Sequence, residues 1–380
     1  MRATIAWGAI VCLLASACAT ARLRPDVDES ALVARADQEG QALLKKANVY
    51  DDQPLIGYLS GVGDRLSPGF SFTALRDPTL NAFALPNRRF YLHTGLLSRV
   101  ENEAQLAMII AREMTHVIDG HARAVQREPR LPRILYAASA GPTANAILGS
   151  GLVLTATAAI NGYGRDLERD ADRGGMDRLV RAGYDPRQAP RVFGELRADL
   201  PERGPLEIFL FGSDPALTER LQVTTRLLEA RYAGAAAATT IDGPEFQLRM
   251  RPVARENAYE DIRAGRFTLA QRQLDRVLAA TPNDAVAYTY YGDLYRLRAQ
   301  RAPDAATRER DARLALASYE KAVELDPAAA EPHRQLGFLY YQQRDYARAK
   351  AAFDRYLALQ PSGVEARRVR EYLGELTRSR

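Results

Sequence analysis

Cysteine, histidine and lysine are all scarce in this chain of 380 residues, which holds two cysteines, four histidines and four lysines. Both cysteines, Cys12 and Cys18, fall within the first eighteen residues. A disulfide-stapled fold is therefore excluded for everything downstream. An excess of one charge sign is lacking too: 52 basic residues against 47 acidic ones leave +5, with both signs scattered along the chain. No basic stripe of the kind that tracks a phosphate backbone stands out, and nucleic acid is not expected as a partner. The basic residues are nearly all arginines, a skew from which no recognition chemistry follows. What is present is globular in character. Hydrophobic residues make up 47% and charged residues 26%, which excludes global disorder, and the length predicts two or three domains.

The first twenty residues bear on destination. Arg2 gives a thin positive start, an apolar run extends from Ile5 to Leu14, and Ala15-Ser16-Ala17 places small residues before Cys18. This is the pattern of a bacterial lipoprotein signal, with cleavage before Cys18 and acylation on it; a plain secretory signal is the alternative. The apolar run is too short to span a bilayer. Ala19 is not aspartate, which by resemblance to enteric lipoproteins favours the outer membrane. From Ile134 to Gly164 no residue is charged. Gly141-Pro142, Asn145, Gly149, Gly151 and Asn161 break that run, so it is read as a buried or surface-dipping helical hairpin rather than a membrane span.

Helical periodicity covers Asp28 to Lys46 and Asp51 to Leu66, and short strands are expected at Phe70–Leu75, Asn81–Leu85 and Phe90–His93, with Pro86-Asn87 turning between the last two. Ser98 to Glu101 has the form of a capping box, and a helix should follow it through His116. Helices resume after Asp166, with Gly183 as a cap, and run to about Tyr232. Residues 233–252, rich in Ala, Thr, Gly and Pro, are expected to be a linker. Beyond it Gly292, Tyr295, Ala315, Tyr319, Ala322 and Pro327 recur as Gly337, Tyr340, Ala349, Phe353 and Pro361, after a first copy with Gly265, Ala270, Leu274 and Pro282. The last two prolines are 34 residues apart, with about eleven residues inserted between the helices of the middle copy. These resemble tetratricopeptide repeats, stacked helix pairs closed by a helix from Val364 to Leu376. Tyr288, Tyr291, Tyr295, Arg334, Phe338 and Tyr341 are candidates for their concave face.

The helix after the capping box carries Arg112-Glu113-Met114-Thr115-His116. A zinc protease needs two histidines one helical turn apart, with a glutamate between them as base for the metal-bound water. Here the first histidine is an arginine, which offers no lone pair and carries positive charge. Downstream, Glu168-Arg169-Asp170-Ala171-Asp172 reads ExxAD. Of the other histidines, His121 is expected to face away on the same helix, His333 to be solvated in the repeats, and His93 to lie on a strand beside the cleft as the one arguable substitute.

The ordered set NAFALP (Asn81 to Pro86), TGLL (Thr94 to Leu97), REMTHV, ERDAD and AGYDP (Ala182 to Pro186) resembles the zinc metallopeptidase family of HtpX, the CAAX-prenyl endopeptidases and BepA, with the BepA-like addition of tetratricopeptide repeats. The resemblance implies an α+β metallopeptidase-like domain, mainly helical with a small sheet, followed by an all-α solenoid. It implies His116 and Glu168 as metal ligands, Glu113 as general base if the site is active, Asp172 around them, and Asn81, Ala82, Phe83 and Ala84 as the edge strand for an extended substrate. Arg112 stands at the lost ligand position. Ser213-Asp214-Pro215 before Arg220 resembles a family segment that usually reads His-Pro, so Asp214 is a second histidine lost. The expected divisions are a signal at 1–17, a tether at 18–27, the metallopeptidase-like domain at 28–232, a linker at 233–252 and the repeats at 253–380.

Two readings follow. One is a degenerate pseudopeptidase, a lipoprotein scaffold for envelope protein assembly with no cofactor. The other is an active zinc endopeptidase degrading misfolded envelope proteins. The expected partners are envelope or outer-membrane assembly proteins through the repeats, and a membrane through Cys18.

Overall fold

A computed structural model describes residues 28–126, 165–200, 214–234 and 243–378. Cys18 and the uncharged run to Gly164 lie outside the described residues. No described helix is long and apolar enough to cross a membrane.

Two helices open the fold, α1 (Glu29–Leu44) and α2 (Gln53–Leu66). Each starts on an aspartate whose side chain accepts an orphan N–H of the first turn, Asp28 from Ser30 and Asp52 from Leu55. Three strands follow, β1 (Ser71–Leu75), β2 (Ala82–Ala84) and β3 (Arg89–His93), within a residue or two of the expected spans. Their order is β1-β3-β2, with β1 parallel and β2 antiparallel to β3. Among the described residues β2 has β3 as its one strand neighbour.

After the short α3 (Thr94–Leu97) comes the central helix α4 (Glu103–Ile118). Its cap is Asn102, which accepts from the Gln105 N–H at 3.0 Å, and not Ser98. Ser98 instead closes α3 by donating to the Gly95 carbonyl, so the capping-box pattern is four residues early. α4 is buried almost all round from Glu103 to Met114, as a helix at the centre of a domain must be. Its first-turn carboxylate Glu103 is held by Tyr184 at 2.6 Å and by Tyr58 and Arg65. A short α5 (His121–Gln126) follows, then α6 (Arg165–Arg181), α7 (Gln188–Ala198) and α8 (Asp214–Leu227), which a wider turn continues to Tyr232. α4 and α6 approach closely because α6 presents glycines: a Cβ on Gly175 would lie 3.1 Å from the Arg112 backbone.

The expected linker is only partly one, since α9 runs from Gly243 to Ala264 with Pro252 inside it. Phe246, Met250 and Val253 recur at helical spacing and bury in the core of the first domain. Further along, Ala254, Ala258 and Ile262 bury in the core of the repeats, so one helix serves both. The repeats continue as α10 (Phe267–Ala280), α11 (Ala285–Gln300), α12 (Ala305–Leu325), α13 (Ala330–Gln342) and α14 (Tyr346–Leu359), closed by α15 (Val364–Arg378). Most of the inserted residues of the middle copy lengthen α12 rather than forming a loop. Buried polar bonds lock the two parts. Arg99 meets Asp199 at 2.9 Å and Asp261 of α9 at 2.6 Å, and Asp261 also accepts from Arg266 and Gln273, each at 2.7 Å.

Candidate functional site

α4 and α6 cross where the ExxAD segment faces the central helix. Arg112, 5% exposed, donates through Nε to Asp172 at 3.0 Å, through one terminal nitrogen to Glu168 and through the other to Glu113. From α8, Arg220 donates to the same oxygen of Glu168 at 3.2 Å. Two guanidiniums thus meet three carboxylates. Such charge-assisted bonds are stronger than neutral ones, and the planar guanidinium fixes direction as well as charge.

The neighbours set the ionisation of each group. Burial opposes the charge on Arg112, but Glu113 and Asp172 outweigh it and raise its affinity for the proton. Arg220 is brought down to about 10 by burial and by Arg112, which leaves it charged at neutral pH. Burial pushes the Asp172 carboxyl up, against the pull of Arg112 and Arg220.

His116 projects from the next turn of α4 and is buried. Its Nδ1 lies 2.9 Å from Nδ1 of His121. The expectation that His121 faces away is overturned. It assumes one straight helix through residue 121, whereas α4 stops at Ile118 and Gly120 turns the chain with φ +68°. α5 then starts at His121 and returns its ring, 4% exposed, against His116. Burial first, then the charges of Arg112, His121 and Arg220, hold His116 well below its ordinary value, and burial lowers His121 as well, so both rings are favoured in the neutral form.

His93 ends β3 with Nδ1 2.8 Å from the Thr79 hydroxyl and 3.4 Å from Asp77. His333 is buried, not solvated, with Nε2 3.1 Å from the Pro327 carbonyl. Asp214 begins α8, but its side chain is outside the described residues. Ala82 and Ala84 are buried on β2, and Phe83 stacks on Tyr91. Asn81 accepts the His93 N–H through its carbonyl. Among the repeat residues, Tyr291 is core, Arg334 pairs with Glu331 and Glu365, and Tyr288, Tyr295, Phe338 and Tyr341 are half-buried.

This donor set does not fit a zinc ion. The guanidinium of Arg112 has no lone pair, brings positive charge to the centre, and engages Glu113, Glu168 and Asp172 together. Among the described residues no group of three His, Cys, Asp or Glu side chains is arranged to hold a metal. Sequence reasoning missed His121, whose signal was the Asp119-Gly120 pair that stops the helix.

The sequence profile of Peptidase family M48 matches residues 35–227, just over half the chain, and a tetratricopeptide repeat profile matches 304–374. The β-barrel assembly-enhancing protease of Yersinia pestis is 30% identical over 161 residues, covering 38% of this chain and 33% of its own. That of Escherichia coli K12 is 28% identical over 166 residues, or 40% and 34%. The mitochondrial metalloendopeptidase OMA1 of Arabidopsis thaliana is 32% identical over 134 residues, 34% of this chain and 26% of the relative. The chain thus spans about a third or less of the length of these curated relatives.

Proposed function

Because this chain belongs to peptidase family M48, we propose that it is a pseudopeptidase of that family, a lipid-anchored envelope protein whose protease fold and repeats serve as a scaffold in outer-membrane protein assembly. The observation that carries this reading is the three-way fork of Arg112 onto Glu113, Glu168 and Asp172. In an active member Glu113 would be the general base and His116 and Glu168 two of the ligands, and a zinc ion would activate water and polarise the scissile carbonyl. Here Glu113 and Glu168 are committed as ion-pair acceptors. The side chains that would start hydrolysis instead tie α4, α6 and α8 together.

The names of the β-barrel assembly-enhancing relatives support the assembly role, and the repeats supply the kind of surface that holds a protein partner. Anchoring at Cys18 would keep that surface at the membrane.

The deciding experiment measures zinc and proteolysis together. The natural protein is expected to purify without stoichiometric zinc and to leave unfolded substrates intact. Arg112→His, which rebuilds the two-histidine turn around the Glu113 and His116 already present, is expected to gain zinc. Stoichiometric zinc in the natural protein, with proteolysis abolished by Glu113→Gln, would establish the active endopeptidase instead.

A further inference from the structure

Towards the end of the repeats the side chains of α13 and α15 meet along one seam. At its start Arg334 of α13 pairs with Glu331 and with Glu365 of α15. One turn on, Phe338 of α13 meets Tyr372 of α15 with ring centroids 5.2 Å apart, and Tyr341 meets the same ring at 5.0 Å. Tyr341 also donates its hydroxyl to Glu375 at 3.1 Å and touches Tyr346 at the start of α14, which is 45% exposed. Phe338, Tyr341 and Tyr372 are half-buried, so part of each ring meets solvent.

Arg368 stands on the same seam. Its guanidinium lies over the Phe338 ring, 5.2 Å from the centroid, and its side chain is exposed. Among the described residues no carboxylate lies within ion-pair distance of it: Glu365, the turn before it on α15, is taken by Arg334, and Glu375 holds Tyr341. Stacking on a ring fixes the plane of a guanidinium and leaves its edge N–H donors to meet a carboxylate. Spacing then says how a ligand must be built. Arg368 and Tyr372 are one helical turn apart, about 6 Å along α15, and side chains on one face of an extended chain recur at every second residue, about 7 Å apart. An acidic side chain on Arg368 therefore brings the side chain two residues away onto the three rings. The seam runs on past both positions, to Arg334 on one side and Tyr346 on the other, so a bound chain passes through rather than ending there.

We propose that the seam between α13 and α15 docks an extended, unfolded segment carrying an acidic side chain two residues from an aromatic one, with the acid on Arg368 and the ring on Phe338, Tyr341 and Tyr372. The rings supply contact area, and the guanidinium selects the sign of the charge. This gives the partner-holding role proposed for the repeats, on which it rests, a definite chemistry. The Arg112 site takes no part in it.

Fluorescence anisotropy on the full chain tests it, with short, labelled, end-blocked peptides of serine and glycine around a central Glu-Ser-Phe, Lys-Ser-Phe or Glu-Ser-Ala. The natural protein is expected to bind the first about tenfold more tightly than either of the others, the effect of losing one charge-assisted pair or one aromatic contact. Arg368→Glu is expected to reverse the order of the glutamate and lysine peptides. Equal affinity for all of them, the natural order retained in Arg368→Glu, or tighter binding of an unblocked peptide ending in phenylalanine would overturn the site. A denatured outer-membrane β-barrel protein, diluted from urea, separates the site from the assembly role. If the natural protein and Arg368→Glu bind it equally well, the assembly role stands and the seam is not where the partner is held. If neither binds it while the peptides are discriminated, the seam stands and the assembly role falls. Should the circular dichroism of Arg368→Glu depart from that of the natural protein, Arg368→Gln is measured instead and must lose the preference for glutamate over lysine.

Discussion

Arg112 is in contact with three acids and shares one of them with Arg220, so removing it does not leave every acid unpaired. Breaking a buried pair costs about 3–5 kcal/mol. Because Arg220 still reaches Glu168, Arg112→Ala is expected near the lower end, about 3 kcal/mol, read as a fall in the urea midpoint at unchanged slope. No measurable change would mean that the fork contributes nothing to folding. The chemistry of this residue was legible in sequence, since a guanidinium at a ligand position already excludes coordination there. Its partners were named only through the family resemblance, because nothing local links residue 112 to residues 168 and 172. His121 was misplaced for a definite reason: angular arithmetic holds along one helix, and Gly120 ends that helix between the two rings.

At the scale of elements, α4 and α6 pack closely at the site. Gly175 has the Arg112 backbone 3.1 Å from where a Cβ would sit, and Gly174 has Thr115 at 2.6 Å. Gly175→Val should push the helices apart at the site, costing about 1–3 kcal/mol of stability by overpacking. Equilibrium unfolding checks the magnitude, and a stabilised variant would show that the contact has slack. Strand positions and the Gly183 turn were readable because alternation and turn residues are local signals. The α4 cap was not, since Ser98 and Asn102 are both good caps and the choice rests on Ser98 being used to end α3. In α9 the apolar positions Phe246, Met250 and Val253 are diluted by arginines and a proline, and they make sense as a helix only once two cores flank them.

Across the whole molecule, the first domain and the repeats share α9 and the buried ion pairs of Arg99. Unfolding either part alone would expose Phe246 and Met250 or strand the Asp199 and Asp261 carboxylates, so the described residues are expected to melt as one unit. Scanning calorimetry of the full chain should give a single transition whose van't Hoff and calorimetric enthalpies agree; two resolved transitions would refute this. The shared helix also sets what can be inherited or exchanged. A recombination that cut the gene at the composition change near residue 252 would leave each fragment with half a helix and an open groove. Only a crossover ahead of Gly243 would hand over a repeat array able to fold, and that array would arrive with the lid of its former host's protease core still attached.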